Sequence, residues 1–132
     1  MDWYRDVREF HKEMDIHIGE FPRVPSGKTK ELRISLIEEE IGETLQALSE
    51  DNLVEIADGI IDSIVVLLGT AISYGIDVRP IWDEIHRSNM AKVGGPVRED
   101  GKRLKPGGWT PPKVRGLLLE QMEEAKDGKD TI

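Results

Sequence analysis

The chain contains no cysteine, which excludes a disulfide framework, a thiolate metal site and a cysteine nucleophile. Any metal must be held by oxygen or imidazole. Positive charge is also short: 18 Lys and Arg stand against 26 Asp and Glu, a formal net charge of −8. That balance opposes a sequence-independent grip on a nucleic acid backbone, yet it leaves room for a small anion, because divalent cations held by carboxylates invert the local field. Long apolar runs are missing; the longest, Ile64 to Leu68, is too short to cross a bilayer. The opening MDWYRDVREF is charged from its second residue, unlike a signal peptide. The expectation is a cytoplasmic protein with neither a nucleic acid polymer nor a membrane as partner. Strand-like alternation and internal repeats are absent, and His11, His17 and His86 have no metal-ligand spacing within one helix.

What is present is helical periodicity. At 132 residues the chain is expected to form a single domain spanning residues 1–132. Trp3, Val7, Phe10 and Met14 share one face of a first helix from Asp2 to about Ile18, with Asp2 as its cap. Pro22, Pro25 and Gly27 mark a loop, after which a second helix runs from about Thr29 to Ser49. Asp51 and Asn52 supply capping side chains for a third, Leu53 to Tyr74, which Gly75 ends. The second and third helices should form an antiparallel hairpin. A fourth helix, Val78 to Met90, should turn Ile81, Trp82, Ile85 and Met90 inward. Residues 93–112 are rich in glycine and proline and read as a long functional loop without regular structure. Lys113 to Ala125 can form a short last helix, and 126–132 a frayed tail. The fold class is therefore all-α, a four- to five-helix bundle.

Two acidic groups stand out. Helix three is apolar nearly all round, through Ile60, Ile61, Ile64, Val65, Val66, Leu67 and Leu68, so most of its surface should be buried in a bundle or against another subunit. Glu55, Asp58 and Asp62 nonetheless form one narrow stripe on it. On helix two, Glu39 and Glu43 lie one turn apart with Glu40 nearby, while Glu38 points elsewhere. Either group alone reads as a solvated face, and Asp62 equally as a hydrogen-bonded core residue. Together on a buried hairpin they repel one another unless a cation neutralises them. Magnesium, or manganese in its place, is the economical explanation, since hard cations take oxygen ligands from facing helices.

The two groups read Glu40-Ile-Gly-Glu43 and Glu55-Ile-Ala-Asp58, an ExxE and an ExxD flanking a helix-turn-helix. With Leu36-Ile37-Glu38-Glu39-Glu40, Asp58-Gly59-Ile60-Ile61-Asp62, Ser88-Asn89-Met90-Ala91-Lys92, Asp100-Gly101-Lys102 and Lys105-Pro106-Gly107-Gly108-Trp109, the chain resembles the all-α nucleoside triphosphate pyrophosphohydrolases. This MazG-like superfamily also includes phosphoribosyl-ATP pyrophosphohydrolase and the dimeric dUTPases. The resemblance covers most of the chain. It implies cleavage of a nucleoside triphosphate, a dNTP foremost, between the α and β phosphates to monophosphate and pyrophosphate, in nucleotide-pool control or sanitation. It implies Mg²⁺, with Mn²⁺ as substitute, on Glu40, Glu43, Glu55 and Asp58, with Glu39 as a further ligand or the general base and Asp62 as an outer contact. Asn89 and Lys92 match a segment that approaches the nucleotide. Lys102, Lys105 and Trp109 lie in the loop that could close over it, although simple packing also accounts for Trp109. His11 could edge a base pocket or merely pack. Relatives form homodimers and homotetramers, which suits the apolar third helix. Two other readings stand: phosphoribosyl-ATP pyrophosphohydrolase itself, and a non-catalytic acidic helical module that binds a partner or a structural ion.

Overall fold

The computed structural model describes residues 1–130, with side chains through Lys126. Five helices follow in order, α1 (Trp3–Glu13), α2 (Gly27–Ser49), α3 (Leu53–Ser73), α4 (Val78–Met90) and α5 (Val114–Asp130), with no strand among the described residues. The architecture is all-α, as the periodicity implies. The chain resolves into two compact units, Met1–Asp77 and Val78–Ile132.

In the first unit, Asp2 caps α1 by accepting from the Arg5 amide at 2.9 Å. The helix ends at Glu13 rather than near Ile18, because Asp15 takes a left-handed conformation (φ 55°) that a helix cannot continue through. Its inward stripe also differs from expectation. Tyr4, Val7 and His11 are buried, whereas Trp3, Phe10 and Met14 are exposed. The amphipathic tyrosine and histidine carry the packing, and Trp3 instead edges an apolar groove with Val7, Ile61, Ile64, Val65 and Leu68.

Helix α2 starts at Gly27, two residues before the expected Thr29. Arg33 on α2 bonds to Val66 and Thr70 on α3, and Thr44 further along α2 bonds to Ser63 earlier on α3. Partners that retreat along one helix as they advance along the other define the antiparallel hairpin. Its bend uses Asp51 in the left-handed region and Asn52, whose side chain accepts from the Glu55 amide at 3.2 Å. At the far end Tyr74 closes α3 and Gly75 (φ 73°) lies against the Phe21 backbone, where a Cβ would collide. Glycine satisfies both demands there.

Helix α3 departs most from expectation. Its own chain buries only Gly59, Gly69, Ile72 and Ser73 fully. Leu53, Ile60 and Leu67, spaced seven apart, remain 78 %, 45 % and 47 % exposed. By length and composition the helix could even cross a membrane, with a mean hydropathy of 1.8 over its most apolar window. The shortness of its uninterrupted apolar run understates that character. Its three carboxylates, Glu55, Asp58 and Asp62, and its pairing with α2 oppose that reading.

In the second unit, α4 has the expected bounds, but its inward residue is Ser88; Trp82, Ile85 and Met90 are exposed and Ile81 is half-buried. Residues 93–112 are not wholly irregular. A small hairpin forms, with Arg98 N donating to Lys102 O at 2.7 Å, Leu104 N to Pro96 O at 2.6 Å, and Val97 bridged to Arg103. Asp100-Gly101 forms its turn, with Gly101 at φ 90°, a dipeptide suited to tight reversals. Helix α5 runs on to Asp130, five residues past its expected end at Ala125, so residues 126–130 of the expected frayed tail are helical; Thr131 and Ile132 lie outside the described residues.

Candidate active site

The acidic residues are positioned by a tight approach of α2 to α3. Gly59 faces Thr44 so closely that a Cβ there would lie 2.5 Å from Thr44 Oγ1. That hydroxyl donates to the Glu40 carbonyl oxygen at 2.8 Å and lies 3.1 Å from Ser63 Oγ. With the threonine proton committed to Glu40, Ser63 is the donor of the second bond. The lock fixes the register that sets Glu40 and Glu43 on α2 against Asp58 and Asp62 on α3.

Glu40 is the central group. Its Oε2 is sealed from solvent and has no hydrogen-bond partner. Burial foremost, and then the negative charges of Glu43, Asp62, Glu39 and Asp58, push its carboxyl above the ordinary carboxylate range. A buried acceptor without a donor is uncommon in a folded protein, and crowding it with four further carboxylates compounds the cost. The arrangement is electrostatically primed for a cation without being a finished cage. Among the described residues no three His, Asp or Glu side chains converge as a ready metal cluster. The donors nevertheless fit a hard divalent ion: all are carboxylate oxygens, and Glu39, Glu43 and Asp58 are exposed enough to swing.

Glu55 stands apart. It is exposed, lies one turn nearer the bend than Asp58, and is not among the groups that raise Glu40. Asp62, half-buried, acts on Glu40. The ExxD motif supplies Glu55 and Asp58, and Asp62, one turn beyond it, also lies close enough to act on Glu40.

A second group of the expected residues comes together in the second unit. Trp109 Nε1 donates to the Ser88 carbonyl at 2.9 Å. The Lys105 and Lys92 ammonium groups lie 4.5 Å and 5.5 Å from the centroid of the Trp109 ring, and Lys92 Nζ donates to Asn89 Oδ1 at 3.2 Å. Asn89, Lys92, Lys105 and Trp109 therefore form one constellation. Lys102 is used differently, its backbone amide donating to Asp100 in the hairpin turn.

Sequence reasoning missed the support beneath the hairpin. His11 is 2 % exposed and Arg33 4 %. Arg33 donates Nε to Thr70 Oγ1 at 3.1 Å and Nη2 to Val66 O at 2.8 Å. His11 Nδ1 lies 3.2 Å from His17 O. Atoms of both side chains lie over Gly69, where a Cβ would meet Arg33 Nη2 at 2.6 Å and His11 Nε2 at 2.7 Å. Burial, with a smaller contribution from Arg33, holds the His11 pKa below its usual range despite the opposing pull of the His17 carbonyl. His11 is thus a packing residue that joins α1, α2 and α3. The available signal was Gly59 and Gly69, isolated glycines in an otherwise aliphatic helix.

A sequence model of the phosphoribosyl-ATP pyrophosphohydrolase family matches residues 7–89. The match spans both acidic stretches and stops at Asn89, before Lys92, Lys105 and Trp109. No curated protein matches the chain.

Proposed function

The chain belongs to the phosphoribosyl-ATP pyrophosphohydrolase family, part of the MazG-like all-α superfamily, and from this we propose that it hydrolyses a nucleoside triphosphate, a dNTP foremost, between the α and β phosphates. The family supports a hydrolase acting on a nucleotide pyrophosphate bond. The observation that supports a metal-dependent reaction is the orphaned Glu40 Oε2 among Glu39, Glu43, Asp58 and Asp62. Glu40, Glu43, Glu55 and Asp58 would hold Mg²⁺, or Mn²⁺ in its place, with Glu39 as a further ligand or the general base and Asp62 as an outer contact. When bound, the ion neutralises phosphate oxygens that gain charge as the anhydride breaks and acidifies a water.

The protein's own groups supply the rest. Glu40, its carboxyl raised and its Oε2 sealed from solvent without a partner, is the anchor. Glu39, exposed on the same helix, can take a proton from water as the general base where it is not itself a metal ligand. Asn89, Lys92, Lys105 and Trp109 would receive the nucleotide, the ammonium groups facing phosphate. The reading places the enzyme in cytoplasmic nucleotide-pool control or sanitation.

The exposed stripe of Leu53, Ile60 and Leu67 supports assembly as a homodimer or homotetramer, in which a second copy covers α3. Phosphoribosyl-ATP is the second substrate reading, favoured by the family's namesake activity. Comparing kcat/KM for the canonical and modified dNTPs, the NTPs and phosphoribosyl-ATP decides between them. A dNTP preferred by at least about tenfold, or 1.4 kcal/mol, supports the pool-control reading; preference for phosphoribosyl-ATP replaces it.

A further inference from the structure

Two like charges on flexible stems separate unless something gathers them, yet Lys92 and Lys105 both lie within 6 Å of the Trp109 ring centroid. The indole face is negative and attracts ammonium groups over such distances. The ring is itself fixed, since Trp109 Nε1 donates to the carbonyl of Ser88, a residue only 2 % exposed. Local chain geometry brings Lys105 back over it: Gly108 is left-handed at φ 79°, and Trp109 N donates to Pro106 O at 3.3 Å, closing a turn. Lys92 is steadied from its other side by Asn89 Oδ1. In a chain of net charge −8, neither ammonium group is ion-paired with a carboxylate among the described residues.

We infer that Trp109 is a positioning residue whose ring gathers Lys92 and Lys105 into a doubly charged receptor for the polyphosphate chain of the substrate. This deepens the pyrophosphohydrolase reading and rests on it for the identity of the substrate. The indole does not contact the reacting atoms; it acts through the two lysines. A ligand with adjacent phosphates engages both charges, whereas a single phosphate engages one at a time. The side chain therefore contributes through its π face rather than through bulk, the indole N–H serving only to steady the ring, which separates this role from simple packing.

Calorimetric titration of the full chain with tripolyphosphate in EDTA tests the receptor without metal or turnover. Wild type binds, and orthophosphate binds more weakly. Trp109→Phe, which keeps a π face, stays within about threefold, whereas Trp109→Leu and Trp109→Ala weaken binding about tenfold, the scale of two lost cation–π contacts. Lys92→Gln with Lys105→Gln abolishes it, and circular dichroism shows each variant folded. Absence of wild-type binding overturns the inference, as does Trp109→Leu binding like wild type. A loss in Trp109→Leu confined to nucleoside triphosphates, with tripolyphosphate unaffected, makes the ring a base contact and also overturns it. Failure of the wild type to turn over any nucleotide, with Trp109-dependent tripolyphosphate binding intact, defeats the hydrolase reading instead.

Discussion

Gly59 sits against the Thr44 hydroxyl with no room for a methyl group: a Cβ would lie 2.5 Å from Thr44 Oγ1 and 3.3 Å from its Cα and Cβ. The same hydroxyl binds the Glu40 carbonyl, so helix spacing and the placement of the central carboxylate depend on one pair. Gly59→Ala should force the helices apart and destabilise the protein by about 1–3 kcal/mol. Combining it with Thr44→Ala, which removes the nearest atom, should give a smaller loss than the sum of the two, as read from urea unfolding midpoints.

Glu40→Gln replaces the crowded carboxylate by a neutral group of the same shape. In EDTA this variant should melt above wild type, since burial and four neighbouring charges all disfavour the ionised form. Mg²⁺ at about 100 times its dissociation constant should stabilise wild type by about 2.7 kcal/mol. The same addition should leave Glu40→Gln nearly unchanged in a thermal melt.

His11 supplies a pH dependence with a defined sign. Its folded-state pKa lies below the ordinary value of 6.5, so the unfolded chain takes up the proton first as pH falls. The neutral ring's contribution is complete above about pH 6.5, declines as pH drops through that value, and levels off once the folded state protonates as well. A protonated ring would face buried Arg33 across Gly69. His11→Asn, though less stable overall, should flatten this part of the profile, measured as unfolding free energy between roughly pH 7.5 and pH 5.

The exposed face of α3 predicts association. Ile60→Glu with Leu67→Glu places charge on two of the three positions of the Leu53, Ile60 and Leu67 stripe without touching the hairpin lock. Light scattering should find wild type dimeric or tetrameric and the double variant monomeric, with its helical circular dichroism retained. A monomeric wild type would remove the reason given for the apolar face.

Helix number and type could be read from the sequence because the apolar period and the caps agree: Asp2, Asn52 and Gly75 all act at helix ends as their chemistry suggests. The inward face of α1 could not, because Trp3, Val7, Phe10 and Met14 form as good a stripe as Tyr4, Val7 and His11. The choice was settled by contacts outside the helix, with Gly69 far along the chain on α3 and with the His17 carbonyl just beyond α1. Similarly, periodicity placed Glu55, Asp58 and Asp62 on one face, but only the interhelical register, set by Thr44, Gly59 and Ser63, shows which of them act on Glu40. The lysine and tryptophan constellation was visible as residue types in a loop. Its assembly depended on the turn at Gly108 and on the Ser88 carbonyl, neither of which has a periodic signature.

The most direct test is to identify the products formed from the preferred triphosphate by phosphorus NMR, with Mg²⁺, with EDTA, and with Glu40→Gln and Glu43→Gln. Nucleoside monophosphate and pyrophosphate in equal amounts, appearing only with Mg²⁺ and reduced at least about a hundredfold in both variants, is the expected result, since each substitution removes charge from the cation site. Diphosphate with orthophosphate, undiminished turnover in EDTA, or no turnover of any nucleotide by folded protein would contradict it.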